Sequence, residues 1–184
     1  MENDISYYFE KYQTDKRVNG YSNVYNDVFT PQRDRGINLL EIGIGTLNPT
    51  HSNMRFWKDI HPSYLPGASL RAFKEYFPNG CIYGVDIQPD CMVNEERIRC
   101  FLLDSTNKIK CDEAFYGTLF DFIIDDGDHN YLSQIKTFEN FFGKLKYGGT
   151  YILEDLESPD KLMEYFNTLP YQHELRDRVI IIKK

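Results

Sequence analysis

Ile37-Asn38-Leu39-Leu40-Glu41-Ile42-Gly43-Ile44-Gly45 is the stretch that decides the fold. An apolar run without polar alternation, ending in glycines, suits a strand buried on both faces, as inside a parallel sheet. Cys81-Ile82-Tyr83-Gly84-Val85-Asp86, Ile98 to Leu103, Phe120 to Ile124 and Thr150 to Leu153 repeat the pattern. Helical signals stand between these strands. Ser69 is placed to cap a helix with Leu70, Phe73 and Phe77 on one face, stopped by Pro78-Asn79-Gly80. The stretch from Ser133 carries Ile135, Phe138, Phe142 and Leu145 at helical spacing and ends before Gly148-Gly149. Strand and helix in alternation predict an α/β, doubly wound, mostly parallel Rossmann-like sheet. Upstream, Tyr7 to Phe29 predicts helix, turn and helix around Asn19-Gly20, a short N-terminal helical segment over residues 1–30. Downstream, Tyr171 to Lys184 leaves no room for a crossover helix and predicts a C-terminal antiparallel hairpin turning at Arg176-Asp177.

The 184 residues fit one domain, 1–184, able to bury roughly 70% of the unfolded surface without a disulfide or metal staple. Lys and Arg total 21 against 28 Asp and Glu, a net charge of −7, which argues against a nucleic-acid partner. No apolar stretch approaches the ~18–20 residues that span a bilayer. No charged-then-apolar leader opens the chain, so a cytoplasmic protein with no membrane partner is expected. Cys81, Cys91, Cys100 and Cys111 form no Cys-x-x-Cys unit and are expected as free thiols.

In an open α/β sheet, ligands bind beyond the carboxyl ends of the strands. Acids stand at every one of those ends: Glu41, Asp86, Asp104, the pair Asp125-Asp126 with Asp128-His129, and Glu154-Asp155. Buried acids are costly unless paired, hydrogen-bonded or metal-bound, so their convergence on one edge points to a site. The glycine turn matches a dinucleotide fingerprint at Gly43 and Gly45, but Asn48 takes the third glycine's place and the helix starts only after Gly67-Ala68-Ser69. With Asp86, this arrangement suits a nucleoside carrying an amino-acid tail better than one carrying phosphates. The ribose hydroxyls need a carboxylate acceptor, and the tail needs acids and backbone N–H groups.

The sequence resembles the class I S-adenosylmethionine-dependent methyltransferases, and within them the metal-dependent sugar O-methyltransferases of the macrocin and mycinamicin type. The residues that carry the resemblance are Thr14-Asp15-Lys16 with Tyr21, Tyr25 and Phe29; Leu39 to Gly43; Gly67-Ala68-Ser69-Leu70-Arg71 with Tyr76 to Asn79; Gly84 to Ile87; Asp125-Asp126-Gly127-x-His129; Gly148-Gly149-x-Tyr151; and Glu154-Asp155-Leu156. The resemblance implies an O-methyltransferase that takes S-adenosylmethionine as cofactor and a sugar or sugar-containing small molecule as acceptor. It implies Mg2+, or another divalent cation, on Asp126, Glu154 and Asp155, and His129 as general base. Glu41, Gly43, Gly45, Asp86 and Asp104 would line the cofactor pocket, Asp125 would face the cofactor's amino group and Ser69 its carboxylate; a homodimer is implied as well. Physical chemistry supports the metal set independently, since carboxylates from adjacent strand ends suit a hard cation with positions left open for substrate oxygens. A hydroxyl on such a cation becomes more acidic, and a nearby imidazole can take its proton.

Three positions depart from the family pattern. Asn19 stands where relatives often carry His, Glu157 follows Glu-Asp-Leu where relatives tend to have a neutral polar residue, and residues 46–66 form a long loop with Trp57, His51 and His61. A loop of that length is either a packed surface excursion or a lid. Two other functions stay open: a catechol-type O-methyltransferase on an aromatic diol, where a lysine commonly stands in place of His129, and a non-catalytic S-adenosylmethionine-binding module. The acceptor, a nucleotide-linked sugar or a glycoside, is not specified by the sequence.

Overall fold

The computed structural model describes residues 4–184; residues 1–3 of the expected N-terminal segment lie outside the described residues. Strand β1 (Asn38–Ile42) buries Leu39, Leu40, Glu41 and Ile42 in the middle of an eight-stranded sheet. It pairs in parallel with β2 (Cys81–Asp86) on one side and β5 (Phe120–Asp125) on the other. The two-residue strand β3 (Asn94–Glu95) runs antiparallel to β4 (Ile98–Leu102), which is itself parallel to β2. Beyond β5 lies β6 (Leu145–Leu153), also parallel, and beyond it the hairpin of β7 (Gln172–Arg176) and β8 (Val179–Lys183), with β8 antiparallel to β6. The order is β3-β4-β2-β1-β5-β6-β8-β7.

The doubly wound sheet with its terminal hairpin is the expected architecture. The hairpin turns at Asp177 and Arg178, both at positive φ, one residue later than expected, and paired positive-φ residues match the right-handed strand twist.

Successive residues of a strand point to opposite faces, and the core divides accordingly. Leu39, Phe122, Ile124 and Ile152 pack under α1 (Ile5–Tyr12), α2 (Ser22–Phe29) and α4 (Ala68–Tyr76), whose Ile5, Phe9, Tyr25, Phe29 and Phe73 are fully buried. Leu40, Ile42, Ile123, Tyr151 and Leu153 face Cys111, Phe138, Phe141, Leu162 and Phe166 of α5 (Lys108–Ala114), α6 (Tyr131–Phe141) and α7 (Pro159–Asn167). Phe29 is the keystone of the first layer, its ring meeting Tyr25, Phe73, Tyr76, Phe77 and Phe122. Truncating such a ring costs ~3–5 kcal/mol.

Several boundaries differ from the expectation for physical reasons. Gly67, at φ +76, stands at the cap position of α4, and Ser69 sits inside the first turn with its hydroxyl donated to Glu41. α6 begins earlier than Ser133, because the Asn130 side chain accepts from Leu132 N, and Leu145 opens β6 instead of extending the helix. The 46–66 segment contains a seven-residue helix, α3 (Met54–Ile60). Among the described residues no helix is long and apolar enough to cross a membrane.

Candidate active site

Because β1, β2, β4, β5 and β6 are parallel, their carboxyl ends share one edge, and a cleft of about 890 Å³ opens there. That volume is within the range for small-molecule sites. The chain leaves β1 through Gly43 and Gly45 at φ +86 and +87. A Cβ on Gly43 would stand 2.0 Å from the Asp126 carbonyl oxygen, so only glycine lets this turn press against the turn after β5. Asp86 closes β2 by accepting from Ile44 N at 2.8 Å and Gln88 N at 2.9 Å, which fixes the glycine turn beside it. Asp104, past β4, accepts from the Thr106 N–H and hydroxyl at 2.8 and 2.7 Å. Gly43, Gly45, Ser69, Asp86 and Asp104 all line the cleft.

The other half of the edge concentrates charge. Asp126 follows β5, Asp155 lies just past β6 at φ +46, and His129 stands between them. His129 Nε2 is 3.4 Å from Asp126 Oδ1 and 3.8 Å from Asp155 Oδ2. Each aspartate's second oxygen is engaged elsewhere: Asp126 Oδ2 by the Lys16 ammonium at 2.8 Å, Asp155 Oδ1 by the Tyr21 hydroxyl at 2.5 Å. The hydrogen bond to Asp126 raises the His129 pKa above the ordinary imidazole value, with burial opposing. Burial pushes the Asp126 carboxyl up, but the Lys16 and His129 charges outweigh it and hold it at about 2. Asp15, on the cleft wall, is pushed up to about 6 by burial and by the Asp126 charge.

One ligand atom from each of Asp126, His129 and Asp155 lies within 4.8 Å of the others, and two hard oxygen donors with an imidazole fit a divalent cation. Glu154 is placed differently from the expectation. It is fully buried outside the cleft lining, with one oxygen paired to Lys16 and the other accepting from the Tyr25 hydroxyl. Glu41 is likewise interior, its oxygens meeting Ser69 Oγ at 2.5 Å and Lys16 Nζ at 3.2 Å, and burial pushes its pKa up to about 7. Asp125 does not face the cleft as expected. It is 2% exposed, accepts from the Tyr151 hydroxyl at 2.9 Å, and is pushed up to about 7 by burial.

Sequence reasoning gave no role to Lys16, Tyr21 and Tyr25, although they stand in the segments that carry the resemblance. Lys16 is 2% exposed, and only its three-dimensional partners mark it as part of the site. Burial alone would strip its proton, but the Asp126 and Glu154 charges reverse that and keep it an ammonium. Of the three departures, Glu157 lines the cleft, as do Pro49 to Met54 and Tyr64 of the 46–66 segment. That segment is anchored by Trp57 Nε1 donating to Gln13 O at 2.7 Å and Tyr64 OH donating to Gly45 O at 3.0 Å.

No family model matches the chain. Among curated proteins it is 31% identical over 142 residues to the 8-demethyl-8-alpha-L-rhamnosyl tetracenomycin-C 2'-O-methyltransferase of Streptomyces olivaceus, covering 77% of this chain and 34% of that protein. It is 32% identical over 157 residues to the mycinamicin VI 2''-O-methyltransferase of Micromonospora griseorubida, covering 83% and 36%. The chain thus spans about a third of the length of the curated relatives it matches. Among solved structures, the MycE methyltransferase of the mycinamycin pathway, in complex with Mg and SAH, superimposes with a TM-score of 0.82 at 23% identity, over 98% of this chain and 54% of that one. A precorrin-6y C5,15-methyltransferase from Geobacter metallireducens gives a TM-score of 0.56 at 16% identity, covering 89% of each chain. The chain therefore carries the class I S-adenosylmethionine-dependent methyltransferase fold and is a sequence relative of the sugar O-methyltransferases of the macrocin and mycinamicin type.

Proposed function

We propose that this chain transfers a methyl group from S-adenosylmethionine to a hydroxyl of a sugar or sugar-containing small molecule, assisted by Mg2+ or another divalent cation, with His129 as general base. The observation that carries this reading is the meeting of Asp126, His129 and Asp155 in the cleft that Gly43, Asp86 and Asp104 also line. The cofactor-side residues fit the donor: Asp86 and Asp104 offer carboxylates to hydroxyls or an ammonium, and the Gly43–Gly45 turn allows close backbone approach. Asp126 and Asp155 would hold the cation, with Glu154 reaching it if its contacts with Lys16 and Tyr25 exchange. The cofactor supplies an electrophilic methyl group, and a bound divalent cation supplies acidity to a hydroxyl.

His129 Nε2 lies beside Asp126 Oδ1 and Asp155 Oδ2, so a hydroxyl that enters between them and replaces the Nε2 contact with Asp126 would pass its proton to the neutral imidazole. The neutral imidazole is the working form, so activity rises with pH through the His129 pKa. That pKa is raised by Asp126, and a bound cation's charge would lower it again. Relatives that act on a rhamnosyl tetracenomycin and on mycinamicin VI favour a sugar acceptor over an aromatic diol.

A thermal-shift screen followed by mass-spectrometric methyl transfer tests this reading. S-adenosylhomocysteine with Mg2+ is expected to stabilise the chain where NAD does not, and glycosides are expected to gain about 14 mass units, the mass of one CH2. Stabilisation by NAD alone, with no methylated glycoside, would contradict it.

A further inference from the structure

Lys16 is the one lysine whose ammonium is buried against several carboxylates among the described residues. Its Nζ touches Glu41 at 3.2 Å, Asp126 at 2.8 Å and Glu154. The lysine sits on the short turn Asp15–Arg17 between α1 and α2, whereas the acids come from the ends of β1, β5 and β6. Three carboxylates thus meet one fixed positive charge, and Asp155 stands on the far side of the shared Asp126, beside His129. Asp126 is shared: Oδ2 holds the ammonium while Oδ1 faces His129 in the cluster that suits a metal ion. Glu154 has one oxygen on the ammonium and the other on Tyr25 and lies outside the cleft lining, so while Lys16 stays in place it is turned to the ammonium and away from the metal cluster.

We propose that Lys16 is a built-in competitor of the divalent cation: its ammonium shares Asp126 with the metal, occupies Glu154, and so sets how tightly the site holds its ion. The inference rests on the metal-assisted reading above and deepens it. Lys16 acts through the carboxylates and is a positioning residue. Its effect has the opposite sign to that of a simple strut. A strut's loss disorders the ligands and weakens metal binding, whereas loss of a competing charge strengthens it. Two cations on one carboxylate repel each other, and in a partly dehydrated site that repulsion is large.

Calorimetric titration of the whole chain with MgCl2 and MnCl2, with S-adenosylhomocysteine titrated in parallel, tests this. Lys16→Met is expected to bind Mg2+ about tenfold tighter or more, while Lys16→Arg, which keeps the charge, stays within about threefold of the parent. A folded Lys16→Met with equal or weaker Mg2+ affinity than the parent would overturn the proposal and leave the metal reading standing. Absence of metal binding by the parent and both variants, with S-adenosylhomocysteine still bound, would overturn the metal reading and this proposal together. Should Lys16→Met fail to fold, the parent protein with 15N-labelled lysine decides the same question. The buried Nζ resonance must move when MgCl2 is added, and a resonance unmoved at saturating Mg2+ overturns the competition.

Discussion

On the β2–β4 side of the cleft the acids are held by donors of the strand-end turns themselves. Asp86 accepts from Ile44 and Gln88 backbone N–H groups, and Asp104 from Thr106 two residues on. On the β5–β6 side they are held from far along the chain. Lys16 reaches Asp126 and Glu154, Tyr21 reaches Asp155, and Tyr25 reaches Glu154, across 110 to 138 positions of sequence. The first half is therefore complete once β1, β2 and β4 have paired, and the second only after α1 and α2 have docked on the sheet. On the proposed reading the first half holds the cofactor and the second does the chemistry, and substitutions should separate the two.

The largest separation is expected at His129. His129→Ala removes the proposed base and should cost about 10²–10⁴-fold in the rate of methyl transfer, while S-adenosylhomocysteine affinity stays at the parent value. The parent's rate should rise with pH through the imidazole and the variant's should not. A rate–pH profile that keeps the same limb in the variant would assign it to another group.

Asp86→Ala should do the converse. It removes a charged acceptor next to the glycine turn and should weaken cofactor binding by ~1.5–3 kcal/mol per lost bond, with Mg2+ affinity retained. Calorimetry showing both ligands weakened equally would erase the division between the halves. Tyr25→Phe should leave a Glu154 oxygen without its donor and lower stability by ~1–3 kcal/mol in chemical denaturation, again with cofactor affinity intact. A smaller effect is expected at Trp57, which ties the 46–66 segment to Gln13. If that segment closes over the cleft, Trp57 emission should shift when S-adenosylhomocysteine and an acceptor both bind. An unchanged spectrum would make it a fixed wall.

The same contrast explains what the sequence showed and what it hid. β1 was legible because Leu39, Leu40 and Ile42 are apolar on both faces, the signature of a central parallel strand. The order of acids at the strand ends was legible for the same reason. Which acid faces the cleft was not, since Asp125 and Asp126 are neighbours with opposite directions. Strand alternation offered the missing signal: Ile123 and Asp125 share a face with Tyr151 and Leu153, toward α6 and α7. Ser69 looked like a cap because serine favours that position, but Gly67 ends the turn and frees the hydroxyl for Glu41. α3 escaped notice because none of its residues is buried and Phe56 and Ile60 are exposed, so no core-facing stripe exists to read. The role of Lys16 was hidden most completely, because a lysine's ordinary place is the surface and only long-range contacts reveal this one.

Metal-assisted chemistry in the β5–β6 half is tested most directly by the rate of methyl transfer from S-adenosylmethionine to a glycoside acceptor. The rate is measured in EDTA and again after restoring excess MgCl2, for the parent and for Asp126→Ala. A metal held by Asp126 predicts negligible turnover in EDTA, recovery of the parent on adding Mg2+, and partial recovery of Asp126→Ala only at much higher Mg2+. Full activity of the parent in EDTA, with Asp126→Ala equally active, would contradict it.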